Sequence, residues 1–577
     1  MFPVIRNLSD PFAEDLRFIT DRQLLDRALW QNCIGVFSSG IDDADRGWRG
    51  EYWGKMMRGA CLVYAVTQSP ALYAVLTEAT EGLLARQEPS GRISAYSAEN
   101  EFYGWDLWAR KYVMTGLQHY YDICTDPALR GRILEALKAH ADYIVARIGK
   151  GKIDLLSTGL WWGSVNSASI LEPFVRLYRD TREQRYLGFA HDIIESGGCS
   201  LGSLIDCVRA GKAPFEFPEQ KAYETMSFFE GLLAHYEVTG KQDDLDLVIR
   251  FADRLLETDF TAIGSCGCTH ELFDHSTLRQ TESRNEIMQE TCVTVTLMRL
   301  LSRLFLVTDE KKYFTAVRKS ALNALAGALN RNGYEQFSNE KKAWLPGMTF
   351  DSYSPLCDGT RGRGIGGFKQ FADGSHFGCC ACIASAGFGL YPLMCVTQRN
   401  GMISVNDPVC GDYTFRISGA DVRLAITADR IRLSAPAGLR ILLRVTTGDD
   451  STRITACRPG EAPAAEADGY VPFDAADGDE LLLRTEQQLT ETRICGKSAF
   501  SLGGYTLAAD TAKSAVYAPG RPLRLLRDDA GGLRFRSLPP QPGEQIRVCA
   551  DTADGALILT DYAAAGQDGK SFVTVWF

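Results

Sequence analysis

The chain has 577 residues, and its 45% hydrophobic, 23% charged and 10% aromatic content is typical of a folded globular protein with several domain-sized units. Its formal net charge of −10, without a basic run, argues against nucleic acid and anionic membrane surfaces as partners. No secretory core and no run of about eighteen apolar residues are present, so we expect a cytoplasmic location. The 17 cysteines, an odd number, favour free or metal-bound thiols over a disulfide framework.

A loose repeat runs through the first 330 residues. Each copy reads as an apolar helix that ends near a threonine, then a short polar turn and a second helix. The threonines are about 56 to 69 residues apart, roughly the length of two helices with their connections. The five threonines are Thr67, Thr125, Thr181, Thr239 and Thr308.

Helix hairpins of this kind have one apolar face that they bury only by packing side by side. Five copies, with further helical patterns at residues 24–33 and 384–395, make about six hairpins. That number suits a closed (α/α)6 barrel with a funnel lined by the loops of one end. An open helical solenoid is the alternative.

Near residue 400 the helical periodicity stops and short alternating runs begin, such as residues 422–426 and 430–433, separated by clusters of Gly, Asp and Pro. We therefore predict an α+β multidomain protein: an (α/α)6 barrel over residues 1–399, then β-sandwich domains over residues 400–495 and 496–577.

One carboxylate and several thiols form a candidate metal site. Glu290 and Cys292 precede a helical run, and the adjacent pair Cys379 and Cys380 follows a glycine-bearing turn before another. A glutamate with three cysteines is a plausible ligand set for tetrahedral Zn²⁺. Because residues two apart do not share a helix face, this requires an irregular helix start. The alternative is that Cys292 is a core residue and Glu290 favours the helix N-terminus.

Two alternatives to this metal site are present in the sequence. Cys382 permits a shifted frame in which it replaces Cys380 as a ligand. Cys266, Cys268 and His270 could bind a metal by themselves. Glu271, which follows His270, is a better candidate for proton transfer to a leaving oxygen.

Aromatic side chains cluster at residues 102–108 and 161–162, near predicted helix starts. Sugar rings pack their C–H faces on such side chains, so these clusters could line a carbohydrate funnel, with core packing as the alternative. The sequence contains no phosphate-binding loop, dinucleotide fingerprint or nucleophile elbow in a convincing context, which disfavours phosphoryl transfer and nucleotide redox chemistry.

The chain resembles glycoside hydrolase family 127, the β-L-arabinofuranosidase family. The Glu-Thr-Cys motif with the Cys-Cys pair is the most specific part of this resemblance. The matching segments are residues 51–55, 105–112, 169–173, 221–232, 289–296, 323–328, 379–380, 505–508 and 561–566.

The resemblance implies an (α/α)6 catalytic barrel followed by β-sandwich domains. It implies Zn²⁺ bound by Glu290, Cys292, Cys379 and Cys380, with Cys379 as the nucleophile of a retaining double displacement and Glu271 as the acid/base. The candidate substrate-binding residues are Trp105, Asp106, Trp108, Trp162, Tyr223, Glu224, His270 and His376.

These features predict an exo-acting glycosidase that releases a terminal, β-L-arabinofuranose-like sugar from a glycan or glycoconjugate. A non-catalytic carbohydrate-binding relative that keeps the zinc site, and a lyase or epimerase acting on a sugar acid, are the alternatives. We expect a carbohydrate substrate and no nucleic-acid or membrane partner, with a homodimer as the candidate assembly.

Overall fold

The computed structural model describes residues 2–284, 286–339, 341–363, 367–463 and 465–577. Helices dominate the chain up to residue 395. They are α1 Phe12–Ile19, α2 Arg27–Gly35, α3 Tyr52–Thr67, α4 Pro70–Leu84, α5 Asp106–Ile123, α6 Pro127–Val145, α7 Val165–Ala168, α8 Leu171–Thr181, α9 Gln184–Glu195, α10 Leu204–Arg209, α11 Ala222–Thr239, α12 Gln242–Thr258, α13 Ser276–Arg279, α14 Thr291–Thr308, α15 Lys311–Ser320 and α16 Cys379–Cys395.

Six of the described helices form a closed ring. Helix α3 packs against α5, and contacts continue through α8, α11 and α14 to α16, which packs back against α3. Helices α4, α6, α9, α12 and α15 each follow an inner helix, and α1 packs against α16. The ring confirms the predicted (α/α) barrel, and its closure excludes the open solenoid.

The repeated threonines end inner helices by a common local mechanism. The hydroxyls of Thr181, Thr239 and Thr308 donate to the carbonyl four residues earlier, at 2.7, 2.7 and 2.8 Å. The residue after each lies in the left-handed region, with φ of 61°, 71° and 65°. A left-handed residue ends an α-helix and turns the chain back, which explains the recurrence of this signal.

Short strands occur within and before the helical part, and the chain is mostly strand from residue 396 onward. The first group is β1 Val4–Arg6, β2 Met288–Glu290, β3 Gln336–Ser338, β4 Ala343–Leu345, β5 Tyr353–Pro355, β6 Gly359–Thr360, β7 Phe368–Gln370 and β8 His376–Gly378. The second group is β9 Val396–Arg399, β10 Met402–Val405, β11 Gly411–Ile417, β12 Ala420–Ile426, β13 Arg430–Ser434, β14 Ile441–Thr446, β15 Gly448–Asp449, β16 Thr452–Cys457, β17 Tyr470–Ala475, β18 Glu480–Gln487, β19 Leu489–Ile494, β20 Lys497–Leu502, β21 Tyr505–Asp510, β22 Phe535–Leu538, β23 Arg547–Thr552, β24 Gly555–Asp561 and β25 Phe572–Thr574.

Two sheets follow the barrel, with strand orders β1-β11-β12-β13-β18-β16-β15 and β17-β14-β10-β9. Alternate side chains of their strands, such as Leu424 on β12 and Leu443 on β14, are buried in one continuous core. Strand β1 pairs with β11 through Ile5 and Tyr413, so the N-terminal strand joins this sheet although it precedes the barrel in sequence.

A third sheet, β19-β20-β21-β24-β23-β22, completes the chain. Its β19–β20 hairpin spans residue 495, so the change between β regions lies between β18 and β19. Strand β25 pairs with both β21 and β6, which links the last sheet to a loop of the helical part.

A buried ionic cluster ties three inner helices together. The Arg299 guanidinium on α14 lies 2.6 Å from Glu172 of α8 and 3.0 Å from Glu230 of α11. All three side chains are at most 9% exposed. A cluster of charges that is buried away from water in this way is stable only while every charge keeps its partner.

Helix α14 is apolar enough to cross a membrane by length and composition, with a mean hydropathy of 1.5, but 78% of it is buried inside the protein. It packs between α11, α15 and α16. We interpret it as a core helix of the barrel.

Replacing Arg299 with methionine should leave Glu230 without its ion-pair partner and Glu172 with only the longer contact to Arg303, at 3.3 Å. We expect the free energy of unfolding of the helical part to fall by about 3–5 kcal/mol, measured by urea denaturation. The additional changes Glu172→Gln and Glu230→Gln should restore much of this loss. Arg27→Met, which removes an exposed ion pair with Glu78, is the matched control and should leave the melting temperature nearly unchanged. An Arg299→Met protein as stable as the parent would contradict this account.

Candidate active site

The N-terminal ends of five inner helices, α3, α5, α11, α14 and α16, open onto one cavity of about 310 Å³. Helix N-termini carry partial positive charge, so this end of the barrel favours anionic side chains. The cavity is lined by Trp48, Glu51, Lys55, Trp105, Trp108, Trp161, Trp162, Lys221, Tyr223, Glu224, Glu271, Glu290, Cys292, Gly367 and Cys379.

Glu290, Cys292, Cys379 and Cys380 come together at this end, and their ligand atoms all lie within 4.8 Å of one another. Sγ of Cys380 lies 3.9 Å from Sγ of Cys379 and 3.3 Å from Oε1 of Glu290. Tetrahedral bonds of about 2.3 Å to sulfur and about 2.0 Å to oxygen would separate two sulfurs by about 3.8 Å and sulfur from oxygen by about 3.5 Å. The spacing therefore fits one metal ion.

The residues converge because each pair sits where the chain changes from strand to helix. Glu290 ends β2 in an extended conformation, and Cys292 is the second residue of α14. Cys379 and Cys380 open α16 directly after β8. This is the irregular helix start that shared ligation requires.

The environment of the four residues also suits a metal. Oε2 of Glu290 is buried without a hydrogen-bond partner among the described residues, an arrangement that is costly unless a cation is bound. Burial raises the pKa of Glu290, Cys292 and Cys380, whereas hydrogen bonds from the two other thiols hold the pKa of Cys379 well below that of an ordinary thiol.

The two alternative ligand sets do not form in the described part of the chain. Cys382 is buried farther along α16 and is outside the four-residue group. Cys266 and Cys268 are also buried, and the Cys268 thiol points toward Asp274 at 3.8 Å, while His270 is exposed.

A buried lysine that sequence analysis did not identify adjoins the thiols. Nζ of Lys55 lies 3.8 Å from Sγ of Cys292 and 2.8 Å from Oε1 of Glu51. Burial alone would lower the pKa of Lys55, but its charge interactions with Cys292 and Glu51 hold that pKa well above its usual value. The i,i+4 spacing of Glu51 and Lys55 was the available signal, but such a pair also describes an ordinary helix-surface ion pair.

Glu271 lies in the loop before α13 and reaches the cavity. It accepts hydrogen bonds from the Lys221 ammonium on Oε2 and from the Tyr353 hydroxyl on Oε1. Its backbone carbonyl accepts from the Ala222 amide at 2.9 Å, which fixes the loop against the start of α11. The structure thus brings Glu271 to the same cavity as Cys379.

Glu224 occupies the first turn of α11 and is 2% exposed. Its Oε2 has no hydrogen-bond partner in the described part of the chain, and burial raises its pKa to about 7. It is one of the predicted substrate-binding residues that line the cavity.

Tryptophans surround the cavity. Trp105 contacts Trp108 edge-on at 5.9 Å between ring centroids and Trp161 at 6.4 Å. Nζ of Lys221 lies over the Trp162 ring, 4.8 Å from the ring centroid. Trp48, which sequence analysis missed, packs against Trp105 with 6.0 Å between the ring centroids. Flat apolar faces at the edge of a polar cavity suit the C–H faces of sugar rings.

Three of the predicted substrate-binding residues do not line the cavity. Asp106 is fully buried, and its carboxylate accepts from Ser94 at 2.5 Å and from Arg110 at 2.9 Å, so it supports the start of α5. His270 is exposed, and His376 lies in β8 outside the lining. Sequence proximity to the motif residues did not determine which way these side chains point.

We expect the purified protein to retain about one divalent metal ion per chain, measured by inductively coupled plasma mass spectrometry. Cys380→Ser and Glu290→Gln each remove one ligand and should lower the metal content sharply. Cys382→Ala, which alters a neighbouring buried thiol outside the group, should leave it unchanged. Full metal content in Cys380→Ser would rule out this ligand set.

The model of the GH127 catalytic domain of β-L-arabinofuranosidases matches residues 30–337, more than half of the chain. The search of curated protein sequences found no match to this chain. Among solved structures, a GH127 β-arabinofuranosidase superposes with a TM-score of 0.73 at 15% identity, covering 100% of this chain and 97% of that one. A GH127 β-L-arabinofuranosidase from Geobacillus stearothermophilus T6 gives 0.71 at 14% identity, covering 99% of each chain. These two show the shared fold, and the family model confirms the resemblance seen in the sequence. The chain belongs to the GH127 β-L-arabinofuranosidase family of glycoside hydrolases.

Proposed function

We propose that the protein is a zinc-dependent, retaining exo-glycosidase that releases a terminal β-L-arabinofuranose-like sugar from a glycan or glycoconjugate. In this proposal Cys379 is the nucleophile and Glu271 the acid/base. The observation that carries the proposal is that Cys379, Glu290, Cys292 and Glu271 line one cavity, with Cys380 grouped beside the first three.

The donor set favours zinc. Three thiolates and one carboxylate in tetrahedral spacing match the ligands and geometry that Zn²⁺ prefers, and soft sulfur ligands disfavour Mg²⁺ or Ca²⁺. When bound, zinc would keep the coordinating thiols deprotonated at neutral pH.

Cys379 is the thiol best placed to attack. It is half-buried and lines the cavity, whereas Cys292 and Cys380 are both 0% exposed. Gly367 has a φ of +91°, and a Cβ there would lie 3.1 Å from Sγ of Cys379. A side chain at this position would therefore crowd the nucleophile.

The groups support a double displacement. Sγ of Cys379 attacks the anomeric carbon as the bond to the leaving oxygen breaks, and a carboxyl group gives that oxygen a proton. Glu271 then takes a proton from water, whose oxygen displaces the sulfur. Two inversions at the same carbon return the original anomeric configuration.

The charge of the cavity supports a neutral sugar. Glu51, Glu224, Glu271 and Glu290 line it together with the thiols, and these acidic groups outnumber the positive charges of Lys55, Lys221 and the proposed Zn²⁺. An additional carboxylate on the substrate would meet this negative surplus, which weighs against a lyase or epimerase acting on a sugar acid. The small volume suits a single terminal ring.

Cys379→Ala should abolish hydrolysis of p-nitrophenyl β-L-arabinofuranoside, because no other described thiol combines exposure with a place in the cavity. Release of nitrophenol measures the rate, and nuclear magnetic resonance of the first-formed sugar should show the retained anomer. Cys382→Ala is the matched control and should keep activity. Hydrolysis by Cys379→Ala at the parent rate, or an inverted product, would disprove the mechanism. Glycan binding without turnover in the parent protein would favour the non-catalytic alternative.

A further inference from the structure

The position of Glu271 marks the side of the cavity from which a leaving group departs. A residue that protonates the leaving oxygen must lie within hydrogen-bond reach of that oxygen. Oε2 of Glu271 accepts from the Lys221 ammonium, and Nζ of Lys221 lies over the Trp162 ring, 4.8 Å from its centroid. The leaving group of a bound substrate therefore lies on the side of the cavity that Trp162 and its neighbours form.

Trp161, the residue before Trp162, also lines the cavity and is 39% exposed. Trp105 packs against it, with 6.4 Å between the ring centroids and 33° between the ring planes. Trp105 in turn contacts Trp108, which is 1% exposed and donates to the Glu51 carboxylate. The three rings thus form a series whose exposure increases from the buried end of the cavity to the solvent.

The loop that presents these tryptophans before α7 has an uncommon backbone conformation. Residues 162–164 have φ values of 58°, 55° and 62°, so three consecutive residues lie in the left-handed region, which is unfavourable for the two that have side chains. The Ser164 hydroxyl fixes the loop by donating to the Leu156 carbonyl at 2.5 Å. A Cβ at Gly163 would lie 2.5 Å from Sγ of Cys199, so the turn also packs closely on its far side. Surrounding contacts of this kind maintain a strained loop in one position, as is common at ligand sites.

We propose that Trp161, supported by Trp105, forms an acceptor subsite that binds a sugar ring as the leaving group. The substrate is then an oligosaccharide or glycan chain in which the residue next to the released terminal sugar is itself a sugar. This inference rests on the proposed glycosidase function and keeps Glu271 as its acid/base. The terminal sugar lies beside Cys379, and the second ring packs its C–H face on the exposed face of Trp161.

The exposure of this subsite favours a sugar over an alcohol or an amino acid as the leaving group. Lys221 covers one face of Trp162, which leaves Trp161 as the more exposed of the two rings. A methyl or seryl group extends only a few atoms beyond the leaving oxygen, whereas a sugar ring extends over a flat indole face. Because Trp161 is at the mouth of the cavity, the hydroxyls of that ring stay in water and none is buried without a partner.

The test measures kcat/KM for three kinds of β-L-arabinofuranoside: the methyl glycoside, the glycoside of N-acetylserine methyl ester, and disaccharides with L-arabinose in different linkages. Each variant is compared with the parent on the same substrate, so differences in leaving-group reactivity cancel. We expect Trp161→Ala to lower kcat/KM on at least one disaccharide by about 10-fold, mainly by raising KM, and to lower it much less on the two substrates without a second ring. Trp161→Phe, which keeps a flat ring, should retain most of the disaccharide activity.

A second measurement examines the acceptor after the first leaving group has departed. With p-nitrophenyl β-L-arabinofuranoside as donor and L-arabinose as added acceptor, the glycosyl-enzyme intermediate reacts either with the acceptor, forming a disaccharide, or with water. Trp161→Ala should lower the ratio of disaccharide to free sugar, and it should change the ratio of transfer to methanol and to water much less. Trp344→Ala, at a 53% exposed tryptophan of β4 outside the cavity lining, is the matched control and should equal the parent in both measurements.

Metal content and melting temperature establish that each variant is folded. Gly163→Ala is an independent variant that keeps both tryptophans, and the contact of its Cβ with Cys199 should displace the loop and reproduce the substrate-dependent loss. The inference is overturned if Trp161→Ala lowers kcat/KM equally on all three kinds of substrate or on none, or if the seryl glycoside shows the largest loss. Those results would leave the proposed function intact, whereas a parent protein inactive on every glycoside would refute that function itself.

Discussion

Closure of the inner helical ring is the constraint on which the site depends. Because α16 packs back against α3, the N-terminal ends of the inner helices face one another across a single cavity. Every group proposed for the chemistry is at a helix start or in a loop fixed against one. Carboxylates and thiols gathered there face the positive ends of helix dipoles, which offsets part of the cost of concentrating negative charge.

Buried cations offset the rest of the free-energy cost of concentrating negative charge at this end of the barrel. Lys55 lies between Glu51 and Cys292, and Lys221 pairs with Glu271, so these two carboxylates and one thiol each have a cationic neighbour. Farther along the helices, Arg299 plays the same role for two glutamates. A barrel interior that accepts this much charge needs complete pairing, since one missing partner leaves an uncompensated ion away from water.

Local patterns carried the fold prediction, and they did so for a physical reason. A threonine that bonds back to the helix and a left-handed residue after it are both encoded within a few residues, so the hairpins are visible in the sequence. The Glu290 and Cys379 segments were recognisable because so few residue types bind metals. Lys55 was missed because its spacing from Glu51 describes any surface ion pair, and Asp106 was overvalued because its partner Arg110 is one turn away on the same helix.

The sequence by itself therefore predicted the helix hairpins, the β-rich C-terminal region, most of the candidate metal site and the family. Only the tertiary structure decided that Cys380 rather than Cys382 joins the candidate metal site, because that choice depends on side-chain direction at the first turn of α16. It also decided which carboxylate oxygens of the cavity have hydrogen-bond partners and which, such as Oε2 of Glu224 and Oε2 of Glu290, have none among the described residues. Glu224 and Glu271 are 47 residues apart in the chain, and their different hydrogen-bonding states arise only where α11, the loop before α13 and β5 meet.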